Sequence, residues 1–132
     1  MNILAVLLAA VSSFLLGGLW YSKVMFGRVW HTENTHGQPQ PAPTQQGHPA
    51  KVFGVSFIFS LIAATAFAIW LGPAPALPVA LKAGAIAGFG FVAASYGINY
   101  QFAQRSLKLW LIDGGYHGVQ FVLFGLVLGT WH

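Results

Sequence analysis

Asp113, His117 and Gln120 stand at i, i+4 and i+7 in the run Asp113-Gly114-Gly115-Tyr116-His117-Gly118-Val119-Gln120. That spacing places all three on one face of a helix, with Tyr116 beside them. A carboxylate and an imidazole sharing a face form a pair whose charge can change near neutral pH, suited to carrying or sensing a proton. Upstream, Ser95 and Asn99 share a face by the same four-residue spacing, with Tyr100 and Gln101 next to them. The segments holding these residues are otherwise apolar, and an ionisable side chain inside a membrane span is a functional-site hypothesis in its own right. Asn99, Tyr100, Asp113, Tyr116, His117 and Gln120 are therefore the candidate intramembrane polar cluster. A structural alternative stands beside it: Asp113 pairs with Arg105 or Lys108 near the interface, and Asn99, Tyr116 and Gln120 serve as hydrogen bonds between helices.

Other chemistries find little footing. The remaining carboxylate, Glu33, falls in a polar linker, and no cysteine is present, which removes thiolate metal sites, disulfides and cysteine nucleophiles. His31, His36 and His48 match no standard metal spacing, and His132 stands apart from them. No catalytic residue, metal or cofactor is expected. The six basic residues are spread among helix ends rather than clustered, which argues against nucleic acid as a partner.

The elements that must position the cluster follow from composition. Charged residues make up 6% of the 132 and hydrophobic ones 56%, against roughly 25% charged in soluble proteins. Such a chain cannot cover its surface with polar groups, and lipid is the solvent that tolerates it. A helical span needs about 20 mostly apolar residues, and four segments supply them, at about 3–21, 52–71, 79–102 and 109–130. The fold class is all-α, a polytopic membrane protein of one domain with four transmembrane helices in a compact bundle. The first span reads as a retained helix rather than a signal peptide, because Met1-Asn2 supplies no basic leader and Trp20-Tyr21 closes it.

The linkers differ. Residues 72–78 read GPAPALP, a short turn, and only Ala103–Lys108 separate the last two spans, which must form a tight antiparallel hairpin. The first linker is long. Lys23–Trp30 mixes basic and apolar residues and is expected to lie along the bilayer surface, while residues 31–50 are rich in Gln, Pro, His and Thr and read as flexible or extended. Trp20, Tyr21, Trp30, Arg105 and Lys108 are expected as interface anchors. Lys23, Arg28, Lys51, Arg105 and Lys108 share one side of the membrane and Lys82 alone the other, so both termini are expected on the non-cytoplasmic side of a cell (inner) membrane. Counted from Leu109, Asp113 sits about 6 Å and His117 about 12 Å into the fourth helix. The first two spans read as apolar scaffold, and the polarity gathers at the cytoplasmic half of the last two. Small residues at four-residue spacing, Ala80, Gly84 and Gly88 in the third span and Gly114, Gly118, Gly125 and Gly129 in the fourth, permit close helix contact.

The opening stretch ending GGLWYS with Trp30 after it, and the run NYQFAQRSLKLWLIDGGYHGVQFVLFGLVLGTW from Asn99 to Trp131, together resemble a family of small bacterial membrane proteins, domain of unknown function 1761. The resemblance implies a four-span bundle whose most recognisable positions here are Gly18, Trp20, Tyr21, Trp30, Asn99, Asp113, Gly115 and Tyr116. It implies no activity. The expected role is a non-enzymatic bundle module, in contact with membrane lipids, that self-associates as a homo-oligomer or joins a larger membrane complex. The alternative is an oligomeric transporter or channel for protons or a small solute, built around Asp113.

Overall fold

The computed structural model describes residues 1–35 and 48–132, and the described residues are helical with no strand. Three of the helices begin at a side-chain cap, at Asn2, His48 and Ser106. In α1, Ile3–Trp20, the Asn2 side chain accepts from the Ala5 N–H at 3.1 Å. A short α2, Gly27–Asn34, follows a tight turn. In α3, Pro49–Leu71, proline occupies the first position, where its missing N–H is harmless, and His48 accepts from the Ala50 N–H. Gly72 ends it at φ +87, a backbone angle that side chains resist. The fourth helix, α4, runs Leu77–Phe102, and α5 runs Leu107–Thr130 from an N-cap at Ser106, whose hydroxyl accepts from the Leu109 N–H. The hairpin between α4 and α5 closes as a Schellman motif: Arg105 N–H reaches the Tyr100 carbonyl, Gln104 N–H that of Gln101, and Gln104 takes the left-handed angle.

Four of these helices, α1, α3, α4 and α5, are long and apolar enough to cross a membrane. Their limits match the expected spans within a few residues. The first linker differs more. Residues 31–34, expected to be unstructured, complete α2, because the chain from Gly27 docks on the start of α5 instead of trailing into solvent. Of the flexible stretch expected at 31–50, residues 36–47, His36 among them, lie outside the described residues, and α3 already begins at Pro49.

The centre of the bundle is α5. Half of its span is buried, about twice the share of any other helix. It packs against α1 on one side and α4 on the other, while α3 rests mainly on α1. Phe124 is fully buried and meets Phe67 and Phe121 at ring centroid distances of 6.2 and 5.1 Å, among Ala5, Ala9, Ala64 and Ala68. The α4–α5 contact is a seam of small residues. A Cβ at Gly84 would collide with the Phe121 carbonyl, one at Gly125 with the Ala80 carbonyl, and one at Gly88 would lie 2.7 Å from the Gly118 oxygen. Lipid supplies no hydrophobic drive between helices, so this backbone-to-backbone approach is what dispersion and weak polar contacts need.

In its middle α4 is not an α-helix. Ile86–Ala93 is π-helical, and the face turned toward α5 passes from Gly88 to Ala93 in five residues instead of three or four. Such wider turns re-aim everything that follows them.

Candidate functional site

The cluster forms, with a changed membership. Asp113 is buried on α5 and its carboxylate accepts three hydrogen bonds. Tyr21 donates to Oδ1 at 2.6 Å, Trp30 Nε1 donates to Oδ1 at 3.1 Å, and Tyr100 donates to Oδ2. The donors come from three segments: the turn after α1, α2, and the end of α4. All are neutral. Arg105, an alternative partner by sequence, donates instead to the Asn34 side chain at the surface, and Lys108 is exposed. Gly27 makes the Trp30 contact possible. Its N–H bonds the Ser22 carbonyl at 2.9 Å, and a Cβ there would collide with the Tyr21 carbonyl, so only glycine lets the chain turn back tightly enough.

Trp20, Tyr21 and Trp30, expected as interface anchors, thus have their polar atoms bonded inward. Trp20 Nε1 donates to the Ile112 carbonyl at 2.9 Å, its ring lying over Gly115. Trp110 works the same way from the other side, donating to the Ala93 carbonyl at 2.8 Å with Gly97 and Gly114 beneath it. In both cases a missing Cβ makes room for the indole ring.

Asn99 is not in the cluster. It is exposed, as is Ser95, and their places toward α5 are taken by Tyr100 and Tyr96. The π-helical stretch is the reason. Counting α-helical turns from Gly88 leads to Ser95 and Asn99, and one additional residue in the wide turns advances the facing positions by one. Tyr96 stacks on His117 at 4.8 Å with 15° between the rings.

Deeper in, His117 does not bond Asp113. Its Nδ1 meets Gln120 Oε1 at 2.8 Å, and Gln120 Nε2 points to Ser13 Oγ at 3.4 Å. Tyr116 donates to the Ser13 carbonyl at 2.9 Å. The Ser13 and Ser60 hydroxyls meet at 2.8 Å, both within reach of the Ala10 carbonyl. The polarity expected only near the cytoplasmic end therefore extends to the middle of the bundle, and α1 and α3 contribute to it. Sequence reasoning passed over Ser13 and Ser60. The available signal was a pair of serines in each apolar run, Ser12 and Ser13 in the first and Ser56 and Ser60 in the second, since a hydroxyl in lipid requires a partner.

The hydrogen bonds of the site involve all five helices, and among the described residues every buried side-chain nitrogen and oxygen has a partner. Among those residues no three His, Cys, Asp or Glu side chains come together as a metal site would require. The chain matches, over residues 4–129, a family described as protein of unknown function, DUF1761. It belongs to that family. Six of the eight positions that carry the resemblance to DUF1761, namely Trp20, Tyr21, Trp30, Asp113, Gly115 and Tyr116, converge on the Asp113 network, whereas Asn99 is exposed and nothing lies close to Gly18. No curated protein and no solved structure matches this DUF1761 chain.

Proposed function

We propose that this protein is a non-enzymatic helical-bundle module of the cell (inner) membrane, with both termini on the non-cytoplasmic side, that self-associates or joins a larger membrane complex. One observation carries the reading. Helix α4 packs on α5 and leaves its other face uncovered, and that face presents Gly90, Ala94, Ser95 and Asn99. A Cβ at Gly90 would meet nothing closer than 3.9 Å. Small residues at four-residue spacing with Ser and Asn beside them are what membrane helices use to approach one another and hydrogen-bond, and on a lipid-facing surface that hydroxyl and amide are otherwise unanswered. Two copies related by a twofold axis would place the same face on itself.

The chain has no cysteine, which makes the test clean. Ala94→Cys is expected to form a disulfide-linked dimer on mild oxidation in native membranes, whereas Ile62→Cys, exposed on α3, is not. Native mass spectrometry in mild detergent should show oligomers that Asn99→Leu weakens. A protein that is strictly monomeric and partner-free in both experiments would overturn the reading.

A second reading, an oligomeric transporter or channel for protons or a small solute, draws on buried Asp113 and on the separate hydrogen-bonded series from His117 through Gln120 to Ser13 and Ser60. Its test is flux into liposomes. Flux that Asp113→Asn leaves unchanged would remove Asp113 as the carrier.

A further inference from the structure

Between the turn after α1 and the π-helical part of α4 lies a groove of about 380 Å³ open to the lipid side. Trp20 and Phe26 form one wall and Phe89 the other, and Ile112, Gly115 and Val119 of α5 form the floor. Its lining is almost wholly apolar, and its depth is set from within. Gly115 lets the Trp20 ring settle against α5, and Trp20 is pinned in place by its bond to the Ile112 carbonyl. Lys108 is exposed one turn before Ile112. Lys108, Ile112, Gly115 and Val119 stand at i, i+4, i+7 and i+11, a single face of α5. The groove therefore begins on α5 one turn beyond a cation at the helix start and continues along the helix into the hydrocarbon layer. Lys23, in the same turn as Phe26, adds an exposed second cation at that end.

We propose that this groove seats one anionic phospholipid, an acyl chain lying along Ile112 and Val119 between Trp20 and Phe89 and its phosphate facing Lys108 and Lys23. A chain of saturated carbons matches the lining, since it brings no polar group that the walls would leave unpaired. A cation at the mouth selects a headgroup with net negative charge over a zwitterionic one, because the attraction of each basic residue to an anionic lipid surface is additive and local.

The test is native mass spectrometry of the full chain released from mixed nanodiscs containing phosphatidylglycerol and phosphatidylcholine with identical acyl chains. The wild-type protein is expected to retain one phosphatidylglycerol in preference to phosphatidylcholine. Lys108→Gln, on an exposed side chain, should lower that retention about fivefold, the size of one cationic side chain's contribution. Val119→Phe should abolish it by filling the floor. Lys82→Gln, an exposed cation near the other end of the bundle, should leave it unchanged. Equal retention of the two lipids, no retained lipid, or a loss in Lys82→Gln as large as in Lys108→Gln would overturn the proposal, because the lipid would then belong to the general annulus.

Discussion

Asp113 holds more of the bundle together than any other side chain, because three segments donate to one carboxylate. Hydrogen bonds between membrane helices contribute about 0.6 kcal/mol on average, whereas those to a charged acceptor reach about 1.5–3 kcal/mol. Tyr21→Phe and Tyr100→Phe should therefore each cost about 1.5 kcal/mol, and Ser60→Ala, which removes one member of a hydroxyl pair, no more than about 0.6 kcal/mol. Reversible unfolding from mild detergent into SDS measures both. Similar losses at all three positions would show that the carboxylate is not a privileged acceptor. At this scale the sequence was legible wherever an unusual residue stood in an apolar run, which is how Asp113, Tyr100, Tyr116, His117 and Gln120 were found. It was misleading where a residue had an ordinary explanation. An aromatic at a span end reads as an interface anchor, and nothing in the types of Trp20, Tyr21 or Trp30 says that their polar atoms point back into the protein.

Between helices, the spacing of small residues foretold the α4–α5 seam, because four-residue repeats survive wherever a helix stays regular. They failed beyond Gly88, where the π-helical turns move the facing residues from Ser95 and Asn99 to Tyr96 and Tyr100. No feature of the run Ile86–Ala93 announces that change, since its residues suit an α-helix equally well. The seam itself gives a sharp contrast between two glycines six residues apart on the same helix. Gly84 faces the Phe121 carbonyl, backbone that cannot move aside, and Gly90 faces open space. Gly84→Ala should destabilise the fold by about 1–3 kcal/mol through overpacking. Gly90→Ala should leave the monomer's stability unchanged or raise it by up to about 1 kcal/mol, since alanine is the better helix former. Thermal melts in detergent compare them directly, and a seam that accepted alanine at Gly84 without loss would mean the helices are less closely held than the backbone indicates.

For the molecule as a whole, hydropathy yields four spans and their order but not which helix is central. That role falls to α5 because its glycine seam meets α4 while its polar residues meet α1 and α2, so it is buried on two sides, whereas α3 offers little beyond Ser60 and remains peripheral. Orientation is the property on which charge has most to say. The ends of α1 and α4 and the starts of α3 and α5 share one side, with Lys23, Arg28, Lys51, Arg105 and Lys108 there, while Met1, Gly72 and His132 line a common hollow at the other. Five basic residues against Lys82 alone should draw the first end to the cytoplasm, since loops this short obey the bias in Lys and Arg. The absence of cysteine again allows a direct measurement. In right-side-out spheroplasts a membrane-impermeant maleimide should label Ala76→Cys, in the turn before α4, and should reach Ala103→Cys, in the hairpin before α5, only after permeabilisation. Both positions are exposed in the fold, so a difference in labelling reports the side of the membrane rather than burial. The opposite pattern would place the Asp113 end outside, and equal labelling of both positions in sealed cells would mean that the chain inserts in two orientations, as a small protein with only a modest charge bias can do.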